Sequence, residues 1–225
     1  MSDVLKTLSS IPGIAVLIGL IVAAALLVVL VNWRLLIFAL AAHYLLIGLM
    51  LTRAVPIELA AVKALVGIMI CPVLLITARR VHWGQIDDEP TEDEPPKRRS
   101  LIGWLISPGL PLRFLAASLT AVLALSLALR NPLSIVGDVI LSRDLTVATF
   151  SLLLLGLLNI VLNENPLKVG IGLLSLLAGF EMFYTVVDPT LTIVGLLGLT
   201  NLIIALAISY LTTAWATHPP REVQP

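Results

Sequence analysis

Charge is what this sequence has least of. Asp, Glu, Lys and Arg make up 12% of its 225 residues, against roughly 25% in an ordinary soluble domain. So few polar groups cannot cover a surface facing water, which excludes a free-standing soluble domain. Cysteine is nearly absent. Cys71 is the single one, so neither an internal disulfide nor a thiolate set for a metal is available; it lies in an apolar run and reads as a small core residue. The three histidines, His43, His82 and His218, lack ligand spacing. There is no glycine-rich phosphate loop of the Walker type and no nucleophile motif. On these grounds no cofactor, no metal and no autonomous enzyme activity are expected. Basic and acidic residues balance at 14 each, so no global field draws nucleic acid as a partner. A basic n-region followed by a small-residue cleavage site is missing too, so the first apolar run is expected to be a span rather than a cleaved signal.

What is abundant is apolar sequence, 59% of the chain. A hydrocarbon core about 30 Å thick is crossed by about 20 apolar residues in a helix, and lipid tolerates only helices or closed barrels because every backbone polar group must be paired. The apolar runs are continuous rather than alternating, which selects helices. The expected fold is an all-α membrane protein of about seven transmembrane helices, over 13–31, 33–52, 56–78, 111–130, 145–163, 166–187 and 190–213. Polar corners separate them: Asn32-Trp33-Arg34, Arg53 to Pro56, Asn163-Glu164-Asn165-Pro166 and Asp188-Pro189.

Residues 81–107 differ in kind. Asp87, Asp88, Glu89, Glu92, Asp93 and Glu94 are interleaved with prolines and followed by Lys97, Arg98 and Arg99. Such a stretch cannot bury enough apolar surface to offset its ordering entropy. It is expected to be a solvated linker, with docking of a soluble partner as the alternative. Lys and Arg placement sets orientation. In a seven-span reading, nine basic residues fall on the side of Arg34, Arg79 and Arg80, and four on the side of Lys6, Arg53, Arg130 and Arg143. The richer side is expected to be cytoplasmic. That gives a multi-pass protein of the cell inner membrane with its N terminus outside and its C terminus in the cytoplasm. Trp33, Trp83, Trp104 and Trp215 fall on the same cytoplasmic side.

A shift of about 133 residues lays the first three spans on the last three. Asn32 then meets Asn165, Thr52 meets Thr185 and Pro56 meets Pro189. Each unit reads as span, Asn-containing corner, span, Pro-marked corner, span. Three spans return the chain to the opposite side, so a second unit enters in the same direction only after one extra crossing, which the span at 111–130 supplies. The expected organisation is a first three-helix unit (1–80), a loop (81–110), a connecting helix and loop (111–144), a second three-helix unit (145–215) and a tail (216–225). Parallel repeats are unlike the inverted pairs of many secondary carriers.

Ionisable groups inside spans are costly and are functional candidates by default. They are few here: His43, Glu58, Lys63 and Glu181, with Asn201 as an uncharged polar addition. Glu58 and Lys63 stand five apart, off the ideal helical stacking of four. They read either as a relay pair or as an interfacial glutamate beside a snorkelling or helix-bridging lysine. His43 reads equally as a relay member or as a buried neutral ring. Glu181, in GFEMFY, either faces a partner subunit or reaches the nearby interface. Asn201 reads as an interhelical hydrogen-bonding group.

The repeat unit, with GLLNIVLNENPLKVGIGLLSLL at its second occurrence, resembles the three-helix K subunit of complex I and the C subunit of multisubunit sodium/proton antiporters. Over nearly the whole chain outside the acidic loop, the pattern is similar to component E of hydrogenase-4-type complexes. Arg34-Leu35, Pro72 in CPVLLITARR and the GLLNIV run carry that similarity. The resemblance implies a non-catalytic membrane subunit packed beside antiporter-type subunits and supporting proton or sodium translocation, with Glu181, Lys63, Glu58, His43 and Asn201 as the candidate proton path. Two departures stand out. The family's second-helix glutamate corresponds to Leu174, and its third-helix acid to Asn201. A self-sufficient small transporter or channel, or a membrane anchor for a soluble partner, are the alternative functions.

Overall fold

In the computed structural model, the described residues are 13–81, 110–131, 134–135, 139–140 and 142–217. Within them the chain forms seven helices: α1 (Gly13–Val29), α2 (Trp33–Leu51), α3 (Ile57–Arg80), α4 (Leu110–Arg130), α5 (Arg143–Val161), α6 (Pro166–Val187) and α7 (Leu191–Thr217). Between α4 and α5, β1 (Ser134–Ile135) and β2 (Val139–Ile140) form a two-rung antiparallel ladder. Six of the helices are long and apolar enough to cross a membrane, and α1 is a shorter apolar helix. The protein is thus a multi-pass integral membrane protein. The acidic segment lies almost wholly outside the described residues, and so do the tail beyond Thr217 and the first twelve residues.

The corners end helices for local reasons, and the two halves do so alike. Asn32 caps α2 with its side chain accepting from Arg34 N–H at 3.0 Å, and Asn165 caps α6 by accepting from Leu167 N–H at 3.0 Å. Both residues leave the helical region in nearly the same way, at φ −71°, ψ 121° and φ −74°, ψ 126°. An asparagine oxygen at this position satisfies an N–H that the helix leaves unpaired. Pro56 stands just before α3, where a missing N–H does no harm. Pro72 lies inside α3 and removes one rung of its ladder.

The first unit packs as α1 on α2 on α3, the second as α5 on α6 on α7. The two rows lie side by side, with α1 against α5 and α3 against α7, while α4 rests outside against α5 and α1. Gly13, at the start of α1, lies beside Asp144 in the first turn of α5 and Arg53 of the α2–α3 corner, so these ends share one face of the bundle. Val31, Arg113 and Asn163 border a common cavity, so the α1–α2 corner, the start of α4 and the α5–α6 corner share the other. The two units therefore run in the same direction, with α4 as the extra crossing.

Aliphatic side chains such as Leu36, Leu40, Ile47, Leu152, Leu155 and Met182 fill the space between rows. Helix α4 is peripheral: only Ala117, Ala124 and Ala128 are buried, and its large side chains, Phe114 and Leu119 among them, are exposed to the lipid. The α5–α6 contact is the tightest seam. A Cβ on Gly156 would stand 2.5 Å from Leu176 N, and one on Gly172 would stand 3.0 Å from Gly156 O. Only glycine lets two backbones approach this closely, the usual device for helix association in lipid.

Candidate functional site

Each polar candidate sits on a stripe that its helix buries. On α3 that stripe is Leu59, Lys63, Gly67 and Ile70; on α6 it is Leu174, Ala178, Glu181 and Thr185; on α7 it is Val194, Gly198, Asn201 and Ala205. The spacing of three or four residues puts each polar group between apolar neighbours on one face. Packing of α7 against both α3 and α6 then brings the three stripes together. Gly198 receives Val66 at this junction: a Cβ there would meet Val66 Cγ2 at 2.7 Å.

The result is a compact ionic cluster. Lys63 Nζ forms an ion pair with Glu181 Oε2, and Asn201 Nδ2 donates to the same oxygen at 3.0 Å. Exposure is 3% for Lys63, 1% for Glu181 and 0% for Asn201. The cluster joins the two three-helix units, since Lys63 belongs to the first and its partners to the second. Glu181 Oε1 and Asn201 Oδ1 have no hydrogen-bond partner among the described residues, which leaves two acceptors directed into the interior. Neither Lys63 nor Glu181 lines the cavity beside Arg34 and Arg79, the one beside Tyr44 and Gly67, or the one at the α5–α6 corner.

A second polar contact lies deeper. His43, mid-way along α2 and fully buried, places Nε2 3.4 Å from Ser175 Oγ on α6. Its ring meets Tyr44 edge to face, with centroids 6.1 Å apart. Ser175 and Glu181 are six residues apart on one helix, so the ionic cluster lies about 9 Å along the axis from His43 at roughly 1.5 Å per residue. Towards the opposite face, Thr77 of α3 and Ser209 of α7 share a hydrogen bond.

Four of the five candidates read from sequence thus lie inside the bundle. Glu181 meets both Lys63 and Asn201, and His43 is within electrostatic reach of Lys63. Glu58 stands apart: it is exposed in the first turn of α3, where a carboxylate suits the helix dipole. Of the two readings of Lys63, the structure has it bridging helices. Glu181, read as facing either a partner subunit or the interface, turns to Lys63 instead. Sequence reasoning missed Ser175, Tyr44 and the α5–α6 polar group of Asn159, Asn163 and Lys168. A signal for Ser175 was present, because it follows His43 by nearly the repeat shift. Among the described residues no three His, Cys, Asp or Glu side chains gather as a metal site. No protein-family model matches this chain, and neither a curated protein nor a solved structure does.

Proposed function

We propose that this protein is a non-catalytic membrane subunit of a complex I-like, hydrogenase-like or antiporter-like assembly, and that its Lys63–Glu181 pair supports proton or sodium translocation by that assembly. The observation that carries this reading is the buried cluster of Lys63, Glu181 and Asn201. An ion pair withdrawn from water loses much solvation that its own attraction only partly returns, and apolar residues would hold α3, α6 and α7 together at less cost. Placing such a pair inside a membrane bundle favours a role in moving charge.

The cluster also bears on the departures from the families that the chain resembles. Asn201 occupies the place of their third-helix acid, and Glu181 lies 3.0 Å from it. A carboxylate is therefore held beside that place, delivered by a different helix. A second reading, a structural clamp between the two units, is favoured by the fact that Glu181 finds both its partners within the chain.

Two measurements test the proposal. Antiporter-type and iron–sulfur subunits are expected to co-purify with the chain; recovery of a transporting homo-oligomer would replace the subunit reading with a self-sufficient carrier. Proton or sodium uptake in vesicles, normalised to assembled complex, is expected to fall for Glu181→Gln and Lys63→Met with assembly retained. Unchanged uptake in the double variant would leave the clamp as the role of the pair.

A further inference from the structure

Lys168 raises a separate question. It lies in the first turn of α6 and is 3% exposed, and its Nζ has no hydrogen-bond partner among the described residues. The sign is wrong for its place, because a helix N-terminus is positive and favours anions. Its backbone is held firmly: Lys168 O accepts from Asn159 Nδ2 at 3.3 Å, and Asn163 Nδ2 donates to Asn159 O at 2.7 Å and to Asn159 Oδ1 at 2.8 Å. The asparagines satisfy one another and the carbonyl, and leave the ammonium unanswered. A buried ammonium without a counter-charge is costly.

Lys168 is one of the residues lining a cavity of about 380 Å³ beside the α5–α6 corner. Arg113, from the first turns of α4, borders it as well and is within electrostatic reach of Lys168. One carboxylate, the exposed Glu164, shares the lining. Two cations against one anion, at the N-terminal end of a helix, leave the cavity positive.

We infer that this cavity is a binding site for a phosphate group, held by Lys168 and Arg113 at the N-terminal end of α6. The phosphate comes either from an anionic phospholipid headgroup or from free phosphate. The surroundings suit the lipid. Arg113 is followed by exposed Phe114 and Leu115 on the outer face of α4, which offer an apolar track beside the charged pocket. Basic pockets between transmembrane helices bind anionic headgroups by the same means. The inference is independent of any role of Lys63 and Glu181.

The test uses the full chain, purified in an uncharged detergent and delipidated. Phosphatidylglycerol, phosphatidylcholine and inorganic phosphate are titrated separately, with the thermal unfolding midpoint and the retained lipid per chain as readouts. The expected result is saturable stabilisation by phosphatidylglycerol over phosphatidylcholine. Because one charge-assisted hydrogen bond is at stake per side chain, Lys168→Gln and Arg113→Gln should each weaken binding about tenfold or more, and Lys168→Arg should retain it. Saturable stabilisation by inorganic phosphate with the same sensitivity to variants, and no preference for phosphatidylglycerol, assigns the site to the free anion. Should Lys168→Gln fail to fold, Arg113→Gln and Lys168→Arg carry the comparison. Equal responses of wild type and variants to all three probes overturn the site.

Discussion

At the scale of single residues, the Lys63–Glu181 pair is the most exacting feature of the protein. Both side chains are withdrawn from water and lipid alike, so each depends on the other. Replacing one of them leaves an uncompensated buried charge, which costs about 3–5 kcal/mol, whereas replacing both with apolar side chains of similar size is often neutral. Lys63→Met alone is therefore expected to destabilise the bundle more than Lys63→Met combined with Glu181→Met. Thermal unfolding in detergent checks this. A double variant weaker than either single one would place the stability of this region in the ionic bond itself. The stability experiment is distinct from ion uptake, and a stable double variant is the right vehicle for the transport measurement.

At the scale of helices, two kinds of contact do different work. The α3–α6–α7 junction is specified by polar groups, and the α5–α6 seam by the absence of side chains. With Gly156 and Gly172 facing each other's backbones, any larger residue must separate α5 from α6. Gly156→Leu is expected to cost about 1–3 kcal/mol, as overpacking does in well-packed interiors. It should also shift His43 relative to Ser175, because α6 carries that serine. Lowered thermal stability together with altered packing around Tyr44, read from its fluorescence in a background without tryptophan, Tyr184 and Tyr210, would show both effects. Unaltered stability would mean that the seam relaxes without loss. Helix α4 behaves differently: its buried face is three alanines, so it is the element least tied to the bundle.

At the scale of the whole molecule, successive helices alternate in direction, and their sense relative to the cell is a matter of charge. The face that holds Arg34, Arg79, Arg113 and Lys168 is the more basic one, and basic loops remain cytoplasmic. In a background with Cys71→Ala, a cysteine at Ser9 is expected to react with a membrane-impermeant reagent added from outside, and one at Thr91 to react only after permeabilisation. Labelling of Thr91 from outside would invert the topology. Both positions lie outside the described residues, so the experiment also gives the side on which those segments emerge.

The seven apolar helices, their corners and the common direction of the two three-helix units were legible in the residues themselves. Length of apolar run, asparagine at a helix start and proline beside a corner act locally, through hydrogen bonding and transfer to lipid, and need no knowledge of neighbours. The helix starts at Trp33 and Pro166 match the expected spans for that reason. The candidates His43, Lys63, Glu181 and Asn201 were legible too, because a polar group inside an apolar run stands out whatever surrounds it. Their partners were not. The helices are apolar on nearly every face, since lipid and protein interior favour the same side chains, so nothing in the pattern tells which face meets which helix. Only the lateral stacking of the two rows put Ser175 opposite His43 and joined Lys63 to Glu181. The same stacking buried Lys168, which as sequence is merely a basic residue near a corner. Sequence by itself determined where the chain crosses the membrane, through interactions within each helix; tertiary structure decided which charges are paired, because pairing depends on the rotation and depth of neighbouring helices.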